Sequence, residues 1–108
     1  MDSRLIYIAN EKMKQLVKWP LLNDSEWLYF GAAGEVNKDI VLKNIESHFE
    51  EKELYVAWTR NNSFKCNKTE IFECLNPILG FENFVIWNKS FRAAIEFSKI
   101  GVLRCGKV

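Results

Sequence analysis

The residue best suited to acid–base or metal chemistry is His48, the one histidine of the chain. Triad-type catalysis would pair it with a serine or cysteine nucleophile, and no sequence signature supplies that partner. Cys66, Cys74 and Cys105 form an odd set without Cys-x-x-Cys spacing, so the sequence predicts neither a zinc site nor a disulfide framework. Free thiols in a reducing cytoplasm fit this pattern better. We therefore interpret His48 as a packing residue beside a buried helical stripe, and we expect no metal and no small-molecule cofactor.

A glycine-rich segment, Gly31-Ala32-Ala33-Gly34, lies between a predicted strand and a predicted helix, where phosphate-binding loops are found. A Walker loop ends in Gly-Lys-Ser/Thr, but here Glu35 and Val36 follow, and the carboxylate of Glu35 would repel phosphate. The dinucleotide fingerprint requires a third glycine that this segment lacks. Paired catalytic carboxylates have no sequence signature, and nothing singles out a pair here. We interpret the segment as a structural turn and expect a protein that is not an enzyme.

The end of the predicted central helix is crowded with four glutamates: Glu46, Glu50, Glu51 and Glu53. Negative charge close to a helix C-terminus opposes the helix dipole, which costs about 0.3–1 kcal/mol for each nearby charge. One interpretation is an ordinary solvated surface that Lys43 and Lys52 partly compensate. The other interpretation is a patch that the protein presents to a basic partner.

Tryptophan is the second candidate for recognition, with four residues in the chain: Trp19, Trp27, Trp58 and Trp87. Trp58 and Trp87 fall near the ends of predicted strands, where an indole ring can be only half covered. Protein interfaces favour such rigid aromatic side chains as anchors. A role in the core and a partial role in an interface both remain open for each of them.

Three apolar runs predict the strands that would position these residues. Residues 53–60, ELYVAWTR, are apolar on both sides of an extended chain and predict a strand that is covered on both faces. Residues 27–30 and 84–87 are shorter runs of the same kind. From 91 to 97 apolar and polar positions alternate with period two, and a turn then leads to a last strand at 102–106, which predicts an antiparallel hairpin.

Helices are predicted between the strands and at the N-terminus. Ser3 can cap a first helix that ends at Trp19-Pro20, although residues 5–9 also fit a short strand. Its expected buried stripe consists of apolar residues: Leu5, Ile8, Ala9, Met13, Leu16 and Val17. A turn at 23–25 follows. Asn37 is a good cap for a helix to about residue 52, and Asn67 or Thr69 can cap a shorter helix that Pro77 ends.

This order of elements predicts one α/β domain, bordering on α+β, over residues 1–108. Two right-handed crossovers would make the first three strands parallel. The expected architecture is a single mixed sheet of about five strands, with a parallel βαβαβ core, a C-terminal antiparallel hairpin and an N-terminal helix. No apolar run approaches the ~20 residues of a membrane span. The N-terminus lacks the basic start and apolar length of a signal peptide, so we expect a cytoplasmic location.

Parallel strands would bring their C-terminal ends to one edge of the sheet, where open α/β sheets bind ligands. That edge would carry polar loops around Glu35, residues 60–62 and residues 88–90. Together with the acidic helix end and the two strand-end tryptophans, these loops form the predicted partner-binding set: Glu35, Glu46, Glu50, Glu51, Trp58, Arg60, Asn62, Trp87 and Lys89.

An aromatic sheet face could also stack nucleobases, as RNA-recognition modules do. The basic–Gly–aromatic signature of those modules is absent, and the net charge of +1 marks no overall basic field. A small single-stranded nucleic-acid-binding or regulatory domain is therefore the alternative prediction.

From residue 27 to residue 107 the chain resembles small bacterial immunity proteins, which neutralise contact-dependent or other polymorphic toxins. The segments that carry the resemblance are ELYVAWTR, TEIFECL and FENFVIWNKSFRAAIEFSKIGVLRCG: a strand, a short helix, a strand and a closing hairpin with Gly-Val-Leu-Arg. The resemblance implies a cytoplasmic, non-enzymatic protein that binds one cognate toxin C-terminal domain, commonly a nuclease, and occludes its active site. Immunity proteins against nucleases are often distinctly acidic, and the net charge of +1 departs from that pattern.

Overall fold

An antiparallel sheet of six strands organises the computed structural model, which describes residues 2–19, 27–32 and 34–108. The strands are β1 (Leu28–Tyr29), β2 (Glu53–Ala57), β3 (Phe64–Asn67), β4 (Phe84–Trp87), β5 (Ala93–Ser98) and β6 (Val102–Lys107). The helices are α1 (Ser3–Met13), α2 (Lys38–His48) and α3 (Ile71–Leu75). The order across the sheet is β1-β6-β5-β4-β2-β3. This is an α+β fold, and the predicted parallel βαβαβ core is wrong.

The strand that sequence analysis missed, β3, explains the wrong topology. Its four residues alternate between the core and the opposite surface, with Phe64 and Cys66 inward and Lys65 outward. The turn at 59–62 folds β3 directly back on β2, and β4 then adds to the other side of β2. Both neighbours of β2 are therefore antiparallel to it. The predicted C-terminal hairpin is present as β5 and β6, paired from Ala93↔Lys107 to Ser98↔Val102.

Each face of the sheet has its own apolar core, because side chains alternate along the strands. On one face α2 and α3 cover the larger core, which includes Val41, Ile45 and Leu75. On the other face α1 covers a smaller core of Tyr55, Ala57, Val85, Trp87 and Ala94, together with Ile6. α1 lies over β2, and among the helices of the described residues none other packs on this face of the sheet.

The N-terminal helix is present, but its buried side differs from the predicted stripe. Ile6 and Asn10 are buried, whereas Leu5, Ile8 and Leu16 are exposed. Of the predicted stripe, Val17 is buried, and Ala9 and Met13 pack partly against the core. The prediction failed because one of the two buried residues of α1, Asn10, is polar. The apolar spacing therefore pointed to a neighbouring side of the helix. Asp2, and not Ser3, caps the helix through its side chain.

The predicted cap of α2 is confirmed, whereas α2 ends at His48 and not near residue 52, and Asn67 caps the 3-10 turn Lys68–Glu70 that leads into α3. The Asn37 side chain accepts a hydrogen bond from the Ile40 N–H, and the Asn67 side chain accepts one from the Thr69 N–H. The predicted first strand shortens to Leu28–Tyr29, and the predicted turn at 23–25 lies outside the described residues. Gly31 and Gly34 have positive φ angles of 125° and 83°, and the Glu35 N–H donates to the Ala32 carbonyl at 2.9 Å, so the described residues of the glycine-rich segment form the predicted turn.

Cys66 and Cys74 form a disulfide, so the prediction of three free thiols is wrong. Cys66 lies on the inward side of β3 and Cys74 on α3, and their pairing was hidden because β3 was not predicted. Cys105 is the free cysteine among the described residues. Among the helices that the structure describes, none has the length and apolar character needed to cross a bilayer.

Candidate functional site

The antiparallel sheet separates the residues that a parallel sheet would have gathered at one edge. β2 and β4 run in opposite directions, so the turn with Arg60 and Asn62 lies at one end of the sheet and Lys89 lies at the other. Lys89 Nζ is 3.5 Å from Glu53 Oε1, and Lys65 Nζ is 3.4 Å from the second oxygen of Glu53. The hydrogen bond and charge of Lys65, followed by the charge of Lys89, lower the pKa of Glu53.

The loop with Arg60 and Asn62 is internally ordered. Asn62 Nδ2 donates to Thr59 Oγ1 at 2.7 Å, and the hydroxyl of Ser63 accepts from the Trp58 N–H at 3.0 Å. Ser3, at the start of α1, donates from Oγ to the Arg60 carbonyl at 2.8 Å. The loop is therefore held to α1 by hydrogen bonds at its backbone.

The two strand-end tryptophans have different environments. Trp58 is half-buried and packs against the larger core. Trp87 is 0% exposed, and its Nε1 donates to Asn10 Oδ1 at 2.8 Å beneath α1. The expectation of a half-covered ring at Trp87 is therefore corrected: its indole is part of the core and is not available to a partner.

His48 and Cys105 lie near one another at the end of α2, lining the same cleft. His48 Nε2 donates to the Gly106 carbonyl at 2.9 Å, and its ring packs edge-on against Phe49. Burial lowers the pKa of His48, and the positive charge of Lys107 lowers it further. Hydrogen bonds with the backbone of Gly106 and Ala94 raise the pKa, but the net shift is downward. Burial raises the pKa of Cys105 to about 11, so its thiol is protonated at neutral pH. A buried, protonated thiol is a weak nucleophile.

The layer above the larger core collects negative charge. Residues 34–52 and 68–83, which comprise α2, α3 and their flanking loops, contain eight carboxylates and four lysines, a net charge of −4. The carboxylates are Glu35, Asp39, Glu46, Glu50, Glu51, Glu70, Glu73 and Glu82. The other described residues carry eleven cations and four carboxylates. We name the layer of residues 34–52 and 68–83 the acidic face.

Lys68 organises the glutamates at the end of α2. Its Nζ donates to the Phe49 carbonyl at 2.7 Å and lies 3.3 Å from Glu46 Oε1. A cation at this position satisfies the negative end of the helix dipole. Glu50 is exposed and Glu51 is half-buried beside this end. Lys68, which sequence analysis did not name, therefore supplies local compensation of the acidic helix end.

The acidic face also contains a groove of about 310 Å³ with a lining that is partly polar and partly apolar. Its lining consists of residues from the β1–α2 loop and from α3 and the loop that follows it: Gly34, Val36, Phe72, Asn76, Leu79 and Phe81. Phe81 is 57% exposed at its mouth. Lys38 Nζ lies 4.9 Å from the centre of the Phe72 ring. The groove combines an accessible aromatic side chain with a negatively charged surround, which is a suitable arrangement for binding an apolar or long basic side chain.

A second groove, of about 450 Å³, lies between α1 and the sheet, and strands β2, β4, β5 and β6 all contribute to its lining. We name it the α1 groove, and its lining includes Tyr7, Asn10, Lys14, Trp27, Glu96 and Arg104. Glu96 Oε1 accepts from Arg104 Nε at 2.6 Å across the β5–β6 pair. The Arg104 guanidinium carbon lies 4.3 Å from the centre of the Trp19 ring and 4.5 Å from that of Trp27.

Sequence analysis named none of the α1 groove residues as a group. Their positions span from Tyr7 to Arg104, and no local spacing links them. Only single residues could have indicated the groove. Asn10 is a polar residue within the first helix, and Glu96 and Arg104 are oppositely charged residues that face one another in the predicted hairpin. Within the described ranges, no three His, Cys, Asp or Glu side chains group as metal ligands. No family model, curated protein or solved structure matches this chain.

Proposed function

We propose that this chain is an immunity protein that binds a cognate toxin domain through its acidic face and thereby occludes the toxin's active site. The observation that supports this proposal is the combination, on one layer, of a net charge of −4 with an open aromatic groove. The resemblance to immunity proteins supplies the class of partner, commonly a nuclease. Such a toxin binds phosphate groups, so its active-site surface is basic and complements this layer.

Phe81 is the anchor in this proposal. Its ring is 57% exposed and shares the groove lining with Phe72, so a partner that covers it would gain a desolvated contact of the kind that dominates binding energy in protein interfaces. The surrounding carboxylates contribute differently, because exposed charges act mainly on the rate of encounter and on its salt dependence. Phe81 is thus expected to set the lifetime of the complex and the glutamates its rate of formation.

Of the predicted partner-binding residues, Glu35, Glu46, Glu50 and Glu51 belong to the acidic face and stay in the proposed site. Arg60, Asn62 and Lys89 lie at the two ends of the sheet, and Lys89 is engaged with Glu53. Trp58 is half-buried against the larger core. These four residues are outside the surface that we propose.

A role against a nuclease places the protein in the cytoplasm, where glutathione keeps most thiols reduced. The Cys66–Cys74 disulfide therefore has to be dispensable for folding if the proposal holds. The bridge joins residues that are only 8 apart, and so it constrains a short loop of the unfolded chain.

Co-purification with the product of the adjacent upstream gene tests the proposal. We expect that product to be toxic when expressed alone, and to be retained and neutralised by this chain. Phe81→Ala should accelerate dissociation about tenfold or more, as expected for an interface anchor. The double variant Glu46→Gln/Glu50→Gln should mainly slow association at low salt. Asn61→Asp, in the exposed β2–β3 turn, is the matched control and should behave as the parent.

Two results would overturn the proposal. The first is an upstream product that is not toxic or does not associate with this chain. The second is a complex whose kinetics respond to neither Phe81→Ala nor the glutamate variant, since the partner would then bind elsewhere.

A further inference from the structure

The cleft beside His48 and Cys105 has a volume of about 520 Å³, within the range of sites that hold small organic molecules. We name it the β6 cleft, and its lining includes Lys18, Trp19, His48, Cys105, Gly106 and Lys107. Two of the described lining side chains are cationic and none is anionic, because the Cys105 thiol is protonated at neutral pH. The β6 cleft therefore combines positive charge with a lining that is otherwise largely apolar.

The two cations of the β6 cleft, Lys18 and Lys107, lie opposite one another in a short antiparallel bridge. The Lys18 N–H donates to the Lys107 carbonyl at 2.8 Å, and the Lys107 N–H donates to the Lys18 carbonyl at 3.2 Å. Side chains paired in this way leave the backbone on the same side, with Cβ atoms about 5 Å apart, and like charges there are unfavourable. Neither lysine forms an ion pair with another described residue. An anion between the two amines would remove this unfavourable interaction.

The charge of Lys107 also acts inside the β6 cleft, at His48. Burial is the main cause of the lowered pKa of His48, and the charge of Lys107 lowers it further, so the ring is mainly neutral at neutral pH. His48 Nε2 already donates to the Gly106 carbonyl at 2.9 Å. The cations available to an anion in this cleft are therefore the two lysines and not the histidine.

The aromatic part of the lining is the ring of Trp19, which two contacts hold in place. A Cβ added at Gly106 would lie 2.7 Å from Trp19 Cε3 and 2.5 Å from Val17 Cγ1, so this segment lies on β6 only because residue 106 has no side chain. The Arg104 guanidinium carbon is 4.3 Å from the centre of the same indole. Trp19 is half-buried, and so part of its surface is open. The cleft thus has an ordered aromatic wall before any ligand binds, which reduces the cost of binding.

From these features we propose that the β6 cleft binds a small aromatic carboxylic acid, with its carboxylate between the amines of Lys18 and Lys107 and its ring against Trp19. The charge of the lining selects an anion. The indole of Trp19 and the neutral thiol of Cys105 are polarisable surfaces suited to contact with an aromatic ring. Since the rest of the lining is largely apolar, one carboxylate on a hydrophobic body fits better than a ligand with several charges.

Nuclear magnetic resonance of the full chain, titrated with 2-naphthoate, tests the proposal. His48 is the one histidine of the chain, so the signal of its Cε1 proton reports unambiguously from the lining of the cleft. We expect a saturable shift of this signal. Two probes separate the contributions, because 2-naphthylmethanol has the rings without the charge and acetate has the charge without the rings. The affinity of each should be lower than that of 2-naphthoate by about tenfold or more.

Lys18→Gln and Lys107→Gln locate the carboxylate. Both lysines are exposed, so the variants should fold as the parent does. Each should weaken binding of 2-naphthoate by about threefold or more and leave binding of 2-naphthylmethanol unchanged. Lys99→Gln removes the same charge from the exposed β5–β6 turn and is the matched control, which should bind 2-naphthoate as the parent does.

The proposal is overturned by the absence of a saturable shift at His48, or by equal affinity for 2-naphthoate and 2-naphthylmethanol. It is also overturned if both cleft variants bind 2-naphthoate as Lys99→Gln does. Tetraglutamate tests an acidic peptide as the other occupant of a cationic cleft. Weaker binding of tetraglutamate than of 2-naphthoate supports the proposal, and tighter binding would show that the lysines recognise an acidic chain instead.

This inference does not rest on the proposed immunity function. Lys18 and Lys107 lie outside the acidic face, and the titrations require no toxin domain. Lys107→Gln should leave association with a toxin domain unchanged, and Phe81→Ala should leave binding of 2-naphthoate unchanged. Failure of one proposal is therefore distinguishable from failure of the other.

Discussion

The indole nitrogen of Trp87 donates to the side-chain oxygen of Asn10 at 2.8 Å, and this bond joins residues that are 77 positions apart. Both residues are buried, and the bond connects α1 to a central strand of the sheet. It satisfies the polar atom of a large core side chain and fixes the orientation of the amide that lines the α1 groove. Core packing and the geometry of the groove thus depend on the same contact.

Trp87→Phe tests the energetic weight of this bond. The substitution keeps an aromatic ring but leaves Asn10 Oδ1 buried and unpaired, so the free energy of unfolding should fall by at least about 1–3 kcal/mol. Urea denaturation measures the loss. In a double-mutant cycle with Asn10→Leu, the two losses should be less than additive by about 0.5–3 kcal/mol. Trp58→Phe, at a half-buried ring, is the control and should cost less; strict additivity in the cycle would contradict the assignment.

Stability should decrease in mildly acidic conditions because of His48. Burial holds the pKa of the folded imidazole below the ordinary value of 6.5, so between these two pKa values the unfolded chain binds more protons. The free energy of unfolding should therefore fall as the pH is lowered through about 6.5, and this contribution should level off below the folded pKa. Urea midpoints between about pH 7.5 and pH 5 measure the effect.

His48→Gln is the matched variant for that measurement, because glutamine can still donate to the Gly106 carbonyl but does not titrate. Its stability should vary less with pH over the same interval than that of the parent. A parent and variant with identical pH profiles would show that His48 is not responsible.

Reduction of the Cys66–Cys74 bridge should weaken the protein without unfolding it. A loop of this length is expected to contribute about 2–3 kcal/mol, less than the 5–15 kcal/mol that a domain of this size typically has. Thermal melts with and without dithiothreitol measure the difference, and Cys66→Ser/Cys74→Ser should match the reduced parent. An unfolded reduced protein would argue against the proposed cytoplasmic role.

Replacing the guanidinium of Arg104 should affect both of its aromatic neighbours. Arg104→Lys removes a planar cation that contacts two indole rings and donates to Glu96, and we expect a loss of about 1–2 kcal/mol. The emission of Trp19 and Trp27 should change in the folded state. Arg92→Lys, at an exposed turn, should stay within about 0.5 kcal/mol of the parent. Equal effects of the two substitutions would mean that the aromatic contacts contribute nothing.

Hydrophobic patterning located most elements but did not determine how they pair. Continuous apolar runs indicate β2 and β4 clearly, since both strands are covered on both faces. Pairing depended on β3, whose sequence FKCN contains only two inward residues and no apolar run. Without that strand, two helices between three strands predict parallel crossovers. With β3 present, β2 and β3 form a hairpin. The helix α3 then connects β3 to β4, and β4 pairs antiparallel with the other side of β2.

The candidate sites divide in the same way. The acidic helix end was visible because its glutamates are close in sequence. Phe81 was not singled out, because its exposure depends on how the loop after α3 lies against residues 34–36. Asn10 and Glu96 line the same α1 groove only because of the tertiary fold, and the hydrophobic pattern placed the buried side of α1 on neighbouring residues. A hydrophobic pattern identifies buried positions by their apolar residues, so it does not identify a buried polar residue such as Asn10.

A net charge of +1 conceals a molecule with two unlike poles, because the negative layer of α2 and α3 is backed by a cationic remainder. We expect such a charge distribution to give a large electric dipole moment, which would orient the molecule in the field of a charged surface before contact. At low ionic strength the protein should bind to both cation- and anion-exchange resins near neutral pH. The negative surface of one molecule should also attract the positive surface of another. Bulk isoelectric behaviour would reveal neither property.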